Sequence, residues 1–428
     1  MVTPIQILSK RWLDTEANLL RKYMIKTYII LEQLSYEKGN LHQFYRPDQH
    51  RFVFMLDQKY YNRFPKEYLN YFDRVEMVSD YNYDNARRLV IDEITRVNSS
   101  DEIRLICIDE CNLLMVGKLR EEFGIPGPTY TDLLPLRDKV KMKERLSRNG
   151  ILVPRFFQPL KEQSVEQALS YIDKYIFFPI IAKPVDGAGS RNTYEIHNSN
   201  EFINFCGNQL NWYDFQFEEL IRGVYYHCDS VVIDGAVKVA EVSQYTAPCL
   251  DFVKGRMLGS YLLQEGDEIR DRILSFNEQI IQCLCSWDCV THLEVFYTPR
   301  CDIVFIEIAA RPAGCSIPLS IQNGVGINLN EIAYKIQFNI PVEVNKKKLS
   351  PAAWISFPIK SNGIIRSKIE PSLNSDSTFM WKVGVGEMVS AAATSFEASL
   401  EILLVNDDQK SLLEDIEHLN LLDVIEIG

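Results

Sequence analysis

Apolar positions along this chain repeat with two periods, and their order predicts alternating helices and strands. From Thr15 to about Glu37, Leu19, Tyr23, Ile30 and Leu34 form one broad face behind a Thr15 N-cap, which predicts a helix for packing or dimerisation. Phe52 to Leu56 (FVFML) reads as a strand and Asp84 to Val97 as an amphipathic helix. Ile103 to Ile108 (IRLICI) reads as a buried strand and Glu110 to Phe123 as a helix stopped by Gly124. Strands and helices in that order predict a small doubly wound α/β domain. Gly124-Ile125-Pro126-Gly127-Pro128 punctuates its end.

The pattern then shifts. LRDKVKMKERLSRNG, from Leu136 to Gly150, is a basic helix in which Val140, Met142 and Leu146 are apolar; most of its lysines read as a solvated face. Val165 to Tyr175 and Glu201 to Leu210 read as helices, and Pro179 to Lys183 as a strand. Tyr225 to Ile233 and Ala236 to Val242 form a hairpin through Asp234-Gly235. Residues 248–265 read as a long irregular loop carrying Lys254 and Arg256, either substrate-binding or solvated charges. Asp267 to Trp287 is a helix, Leu329 to Phe338 another, and residues 351–428 read as a separate β-rich module with a helix from Lys410 to Leu419.

Two stretches carry candidate chemistry. In VTHLEVFYTPRCDIVFIEIAARPAGCSIP, from Val290 to Pro318, two strands flank a turn. Alternation places Glu294 with His292 and Phe296 on one face, and Glu307 with Ala309 and Arg311 on one face. Buried carboxylates need a cation, and two acids beside phosphate oxygens suit Mg²⁺. A hairpin with salt-bridged acids fits the same residues. Upstream, Lys183 ends a strand that runs into PVDGAGS, with Gly187, Gly189 and Ser190. Small residues there let backbone N–H groups approach phosphates, with Lys183 as a point charge. A plain turn also fits, and no GK[ST] follows. His227 and His292 read as packing or hydrogen-bonding residues, or as general bases. No Ser/His/Asp arrangement is present.

Composition narrows the partners. At 428 residues the chain exceeds one ordinary core, and 46% hydrophobic with 24% charged residues is typical of a globular protein. A net charge of −12 argues against a nucleic-acid partner. No apolar run of membrane-spanning length appears, and the first residues do not read as a secretory signal. The ten cysteines include no CxxC pair, which favours reduced thiols and a cytoplasmic place.

The order of these stretches resembles the ATP-grasp superfamily, on the side of biotin carboxylase-like carboxylate–amine ligases such as the L-amino-acid ligases. GIPGPTYTDLLPLRDKVKMKERLSRNGILVP, FPIIAKPVDGAGS, FEELIRG, YYHCDSVVIDG and HLEVFY…FIEIAARPAG carry the resemblance. It implies an ATP-grasp fold of α/β and α+β class. Residues 1–132 would be a pre-ATP-grasp domain, 133–345 the ATP-grasp domain with a lid at about 153–222, and 346–428 a β-rich domain. It implies ATP and Mg²⁺ (or Mn²⁺) as cofactors. Lys139 and Lys183 would be the ATP lysines, Asp186 to Ser190 the lid loop with Gly187 and Gly189, and Glu218, Glu219 and Ile221 part of the adenine hinge. Glu294 and Glu307 would be metal carboxylates, and Arg311 would steady the transferred phosphate and the tetrahedral intermediate. Two positions depart from the pattern. Ala309 replaces an Asn metal ligand, and Tyr225 replaces a ribose-binding Glu. The implied reaction activates a small carboxylic acid as an acyl phosphate and joins it to an amine, with amino acids as substrates. Transfer to a thiol or protein side chain, and nucleotide binding without catalysis, are the alternatives. No nucleic-acid or membrane partner is implied, and a homodimer is compatible.

Overall fold

The computed structural model describes residues 26–33, 40–62 and 64–428. The chain divides into two compact units, Met1–Leu133 with Ala333–Val342, and Leu134–Ile332 with Glu343–Gly428. Most of the expected first helix lies outside the described residues. Its described part is not helical. Lys26–Ile30 is a fully engaged parallel strand, β1, paired on both sides. The run KTYII is β-branched and aromatic and is buried on both faces, and that environment selects a strand whatever the helical spacing of its apolar residues.

In the first unit, β1 is joined by β2 (His50–Asp57), β3 (Arg74–Val78) and β4 (Ile103–Ile106) in a parallel sheet of order β3-β2-β1-β4. The helix Tyr83–Val97 starts where the Asn82 side chain accepts from the Asn85 N–H. Leu113–Phe123 ends at Gly124, whose φ of 64° a glycine adopts without strain. Phe338 from the Ala333–Val342 segment stacks on Phe52, centroids 5.4 Å apart.

The second unit holds two main sheets. In the smaller, β5 (Phe156–Phe157), β6 (Ile180–Pro184), β7 (Tyr194–Ile196) and β8 (Phe215–Glu219) take the order β5-β8-β6-β7. Two helices cover it. Val165–Tyr175 opens on a Ser164–Gln167 capping box, and Ser199–Asn208 contributes buried Phe202.

The larger sheet is antiparallel and eight-stranded. It contains β9 (Val224–Ile233), β10 (Ala236–Tyr245), β11 (Leu258–Leu262), β12 (Cys289–Tyr297), β13 (Ile303–Ala309) and β14 (Ala352–Pro358). β15 (Gly363–Lys368) lies elsewhere; β16 (Asp376–Trp381) belongs to the large sheet. β17 (Met388–Val389) pairs with β15. β18 (Ala398–Val405) returns to the large sheet, and β19 (Ile425–Ile427) completes the small three-stranded sheet with β15 and β17. The large sheet runs β13-β12-β9-β10-β11-β14-β18-β16. Strands from the C-terminal segment therefore continue the sheet that carries the acidic hairpin. The continuity passes through β11, inside the stretch expected to be irregular. Its sequence LGSYL has no β-branched residue and has Gly and Ser at its centre, so its β signal is weak, and it becomes a strand because β10 and β14 supply ladders on both edges. The helix Glu268–Leu284 packs Ile273, Ile280 and Ile281 into the core beneath β9, β10 and β12. Among the described residues, no helix is long and apolar enough to cross a membrane.

Candidate active site

The acidic hairpin sets the floor of the site. β12 pairs with β13 so that Glu294 lies opposite Glu307, and His292 opposite Ala309. Both acids face a cavity of about 460 Å³ within the second unit. Its lining includes Lys139, Lys183, Gly187, Gly189, Ser190, Glu218, Glu219, Ile221, Tyr225, Glu294 and Glu307. Eleven residues singled out from the sequence thus meet around one space. Arg311 is not among the lining residues; it is half-buried, and its Nη1 donates to the Pro312 carbonyl at 2.8 Å. Lys254 lines the cavity and pairs with Glu195 at 3.1 Å, whereas Arg256 does not line it and pairs with Asp251 at 3.0 Å.

One wall is a chain of alternating charges. The helix Lys139–Arg148 starts at Asp138, whose carboxylate accepts from the Val140 and Lys141 N–H groups. That cap places Lys139 at the cavity, where Nζ reaches Glu307 at 3.3 Å and the Gly187 carbonyl at 2.6 Å. Lys183, at the end of β6, lies 3.9 Å from Glu307 and 2.7 Å from Glu218. Glu218 is 3.0 Å from Lys143, which is fully buried. Lys143 was not apparent as a site residue in the sequence. Its i,i+4 spacing from Lys139 puts both on one helix face, and that was the available signal.

Electrostatics keep this chain charged. Burial alone would raise the Glu307 carboxyl, but Lys139, Lys183 and Lys143 outweigh it and hold the group at about 2. Burial likewise opposes charge on Lys183, and Glu218 and Glu307 raise its ammonium above the ordinary value. Lys143 is lowered to about 8 because burial exceeds the support from Glu218. Three ammonium groups thus alternate with two carboxylates along this chain, and two of them, Lys139 and Lys183, line the cavity where an anion can meet them. Ile181, Leu220, Phe296 and Ile306 add apolar surface to the same lining. Cationic groups and apolar surface in one cavity suit a ligand that carries both an anionic group and a flat apolar part.

Glu294 has different company. Tyr225 Oη donates to its Oε2, Tyr245 Oη donates to Oε1 at 2.9 Å, and His292 Nε2 lies 3.5 Å away. Burial and the Glu294 charge push both phenols well above their usual range, so they remain donors. Behind it, Asp229 joins His227 Nδ1 at 2.6 Å and His292 Nδ1 at 2.9 Å. His227 Nε2 meets Ser260 Oγ at 2.7 Å, so Ser260, His227 and Asp229 do form a Ser/His/Asp arrangement that the sequence did not reveal, but all three are buried and Trp354 Nε1 donates to the serine oxygen. His227, Asp229 and His292 could hold a metal by spacing, but their polar atoms already satisfy one another. Burial opposes charge on His292, and Asp229 overrides it and raises the imidazole to about 9. The Cys249 thiol, also in the lining, is pushed well above its usual value by burial, which removes it as a thiolate nucleophile.

The paired carboxylates fit a divalent cation in donor chemistry. They are hard oxygen donors on adjacent strands of one face, and each carboxylate oxygen has lone pairs beyond those its present partners use. Ala309 adds no ligand.

Gly223 sits just before β9, and a Cβ there would overlap the Tyr297 carbonyl of β12. Gly223→Ala is expected to push the segment carrying Leu220 and Ile221 outward. It should destabilise the fold by ~1–3 kcal/mol, read by thermal unfolding.

No family model matches the chain. It is 28% identical over 276 residues to the L-arginine-specific L-amino acid ligase of Bacillus subtilis, a match over 63% of this chain. That match spans 65% of the relative's length. Its fold is similar to the L-amino acid ligase from Bacillus licheniformis, with a TM-score of 0.71 at 16% identity, covering 94% of this chain and 98% of that one. It is also similar to the biotin carboxylase domain of the Hydrogenobacter thermophilus 2-oxoglutarate carboxylase, with a TM-score of 0.65 at 14% identity over 95% and 91% of the two chains. The fold is that of the ATP-grasp proteins. The likeness to these solved structures is one of fold, a mixed α/β architecture with a parallel sheet in the first unit and a larger antiparallel sheet in the second.

Proposed function

We propose that this chain is an ATP-dependent ligase that activates a carboxylate as an acyl phosphate and joins it to an amine, with amino acids as the substrate class. The observation that carries this reading is the chain Lys139–Glu307–Lys183–Glu218–Lys143 beneath the Gly187–Ser190 loop. Ammonium groups and backbone N–H groups there can bind ATP phosphates, while Ile181, Leu220 and Ile306 hold the base. Glu294 and Glu307 would hold Mg²⁺ or Mn²⁺, which when bound offsets charge on the β- and γ-phosphates.

A substrate carboxylate oxygen attacks the γ-phosphorus, and the bond to the ADP oxygen breaks. Lys139 and Lys183 stabilise the charge that shifts onto ADP and the transferred group. The amine nitrogen then attacks the acyl carbon, phosphate leaves, and the nitrogen loses a proton. Arg311, just past the floor strand, is proposed to stabilise the oxyanion of that step. Net charge and ten cysteines outside any disulfide support a cytoplasmic enzyme without a nucleic-acid or membrane partner.

One observation favours a second reading, nucleotide binding without catalysis. Tyr225 and Tyr245 both occupy Glu294, and Ala309 supplies no ligand. Phosphate release measured across an array of amino acids and small acids, with product mass as readout, separates the two. The ligase releases phosphate only with ATP, an acid and an amine together, and yields their condensation product. ATP binding with no turnover for any pair selects the second reading.

A further inference from the structure

A side chain far away in sequence touches the glycine-rich loop. Phe396, in the turn before β18, packs its ring against Gly189 and Gly314. A Cβ on Gly189 would overlap that ring, and one on Gly314 would come within 2.9 Å of it. Ser395 N–H donates to the Gly189 carbonyl at 3.3 Å, and Cys315 Sγ lies 3.7 Å from the Ser395 carbonyl. The turn is braced from within: Glu397 accepts from the Ala393 N–H at 2.6 Å and the Thr394 N–H at 3.2 Å, and Thr394 and Ser395 are buried. Yet Phe396 itself is 55% exposed. A large aromatic left half in water, seated on two residues that lack side chains, contributes little to the core. Its contacts are the cavity-lining loop on one side and the turn after Arg311 on the other.

We propose that Phe396 is a positioning residue that latches the Gly187–Ser190 loop down over the reacting phosphate. The inference rests on the ligase reading for its consequence and on geometry for its existence. Lys139 Nζ holds the loop from inside through the Gly187 carbonyl, and Phe396 with Ser395 holds it from outside. An acyl phosphate must meet the amine before water. Water attack on the same carbonyl breaks the same carbon–oxygen bond and returns the free acid and phosphate, so a lifted loop wastes ATP. Phe396 thereby sets the proportion of activated carboxylate that reaches the amine, without touching substrate.

The test compares wild type, Phe396→Ala, Phe396→Leu and Gly314→Ala as intact chains. Hydrogen exchange at the Gly187–Ser190 amides is expected to quicken about tenfold in Phe396→Ala. Phe396→Leu, which keeps apolar reach, should recover most of the protection, and Gly314→Ala should loosen the loop from the other side. With an active acid–amine pair, phosphate released per amide formed should rise from near one to about three or more in Phe396→Ala. Unchanged exchange overturns the latch. Faster exchange with an unchanged ratio overturns its role in protecting the intermediate. Should wild type form no amide at all, the ligase reading fails, while the exchange comparison still decides whether Phe396 holds the loop.

Discussion

Glu307→Gln is expected to lower ATP-dependent phosphate release by a factor on the order of 10³ while leaving the fold intact. Glutamine keeps the size of the side chain and one carbonyl oxygen, so the packing of β13 has no reason to change. The charge is what disappears. Glu307 stands between Lys139 at 3.3 Å and Lys183 at 3.9 Å and is held ionised at about 2 by those cations. Without it the two ammonium groups face each other across a neutral amide, and Lys183 is drawn to Glu218 alone. On the proposed ligase reading, the phosphate-binding end would lose its geometry, and a divalent cation would lose one of its two charged ligands. Phosphate release under saturating ATP, with circular dichroism and thermal unfolding as controls, measures the effect. Near-normal turnover in a folded Glu307→Gln protein would sink the assignment of this carboxylate to the metal and phosphates.

The parts of the site that were legible in the sequence were those whose signal is local. Alternation put Glu294 with His292 on β12 and Glu307 with Ala309 on β13, and the register that sets the two acids opposite one another, with a bulge just after Glu294, came from the pairing of the strands. Lys183 was visible at a strand end, and the glycines after it announced a tight backbone. What the sequence concealed depends on distant partners. Lys143 reads as one more lysine on a basic helix, and only burial against Glu218 distinguishes it. β11 is a strand because two neighbours pair with it, not because LGSYL favours one. Lys26–Ile30 was read as helix because its apolar residues fit both periods, and the decision came from flanking strands. Phe396 carries no pattern at all, since its meaning lies in two glycines 207 and 82 positions away. Tyr225 was conspicuous as a departure, but the phenol's bond to Glu294 was not predictable from its position.

Glu32→Gln is expected to stabilise the first unit at pH 8 and to flatten the pH dependence of its unfolding. Glu32 follows β1, is completely buried, accepts hydrogen bonds from Tyr334 Oη and the Ile108 N–H, and pairs with no cation among the described residues. Burial, and secondarily the charge of Asp109, push its carboxyl up to about 8, against weaker opposition from the two donors. The sign follows from proton counting. Below the ordinary carboxyl value of about 4.5 both states keep the proton, and the native arrangement is fully favoured. Between about 4.5 and about 8 the unfolded chain releases it while the folded chain retains it, so stability falls as pH rises, by about 1.4 kcal/mol per pH unit. Above about 8 the folded state ionises too, and the loss levels off. Glutamine has no proton to lose. Its oxygen can accept from the Ile108 N–H while its amide donates to the Tyr334 oxygen, so a neutral, hydrogen-bonded side chain is retained at every pH. Urea unfolding followed by far-ultraviolet circular dichroism from pH 5 to pH 8 gives the test. The wild-type midpoint should drift downward with pH and the variant's much less. Parallel curves would mean that Glu32 already ionises in the native state, and that an unseen cation or water offsets its burial.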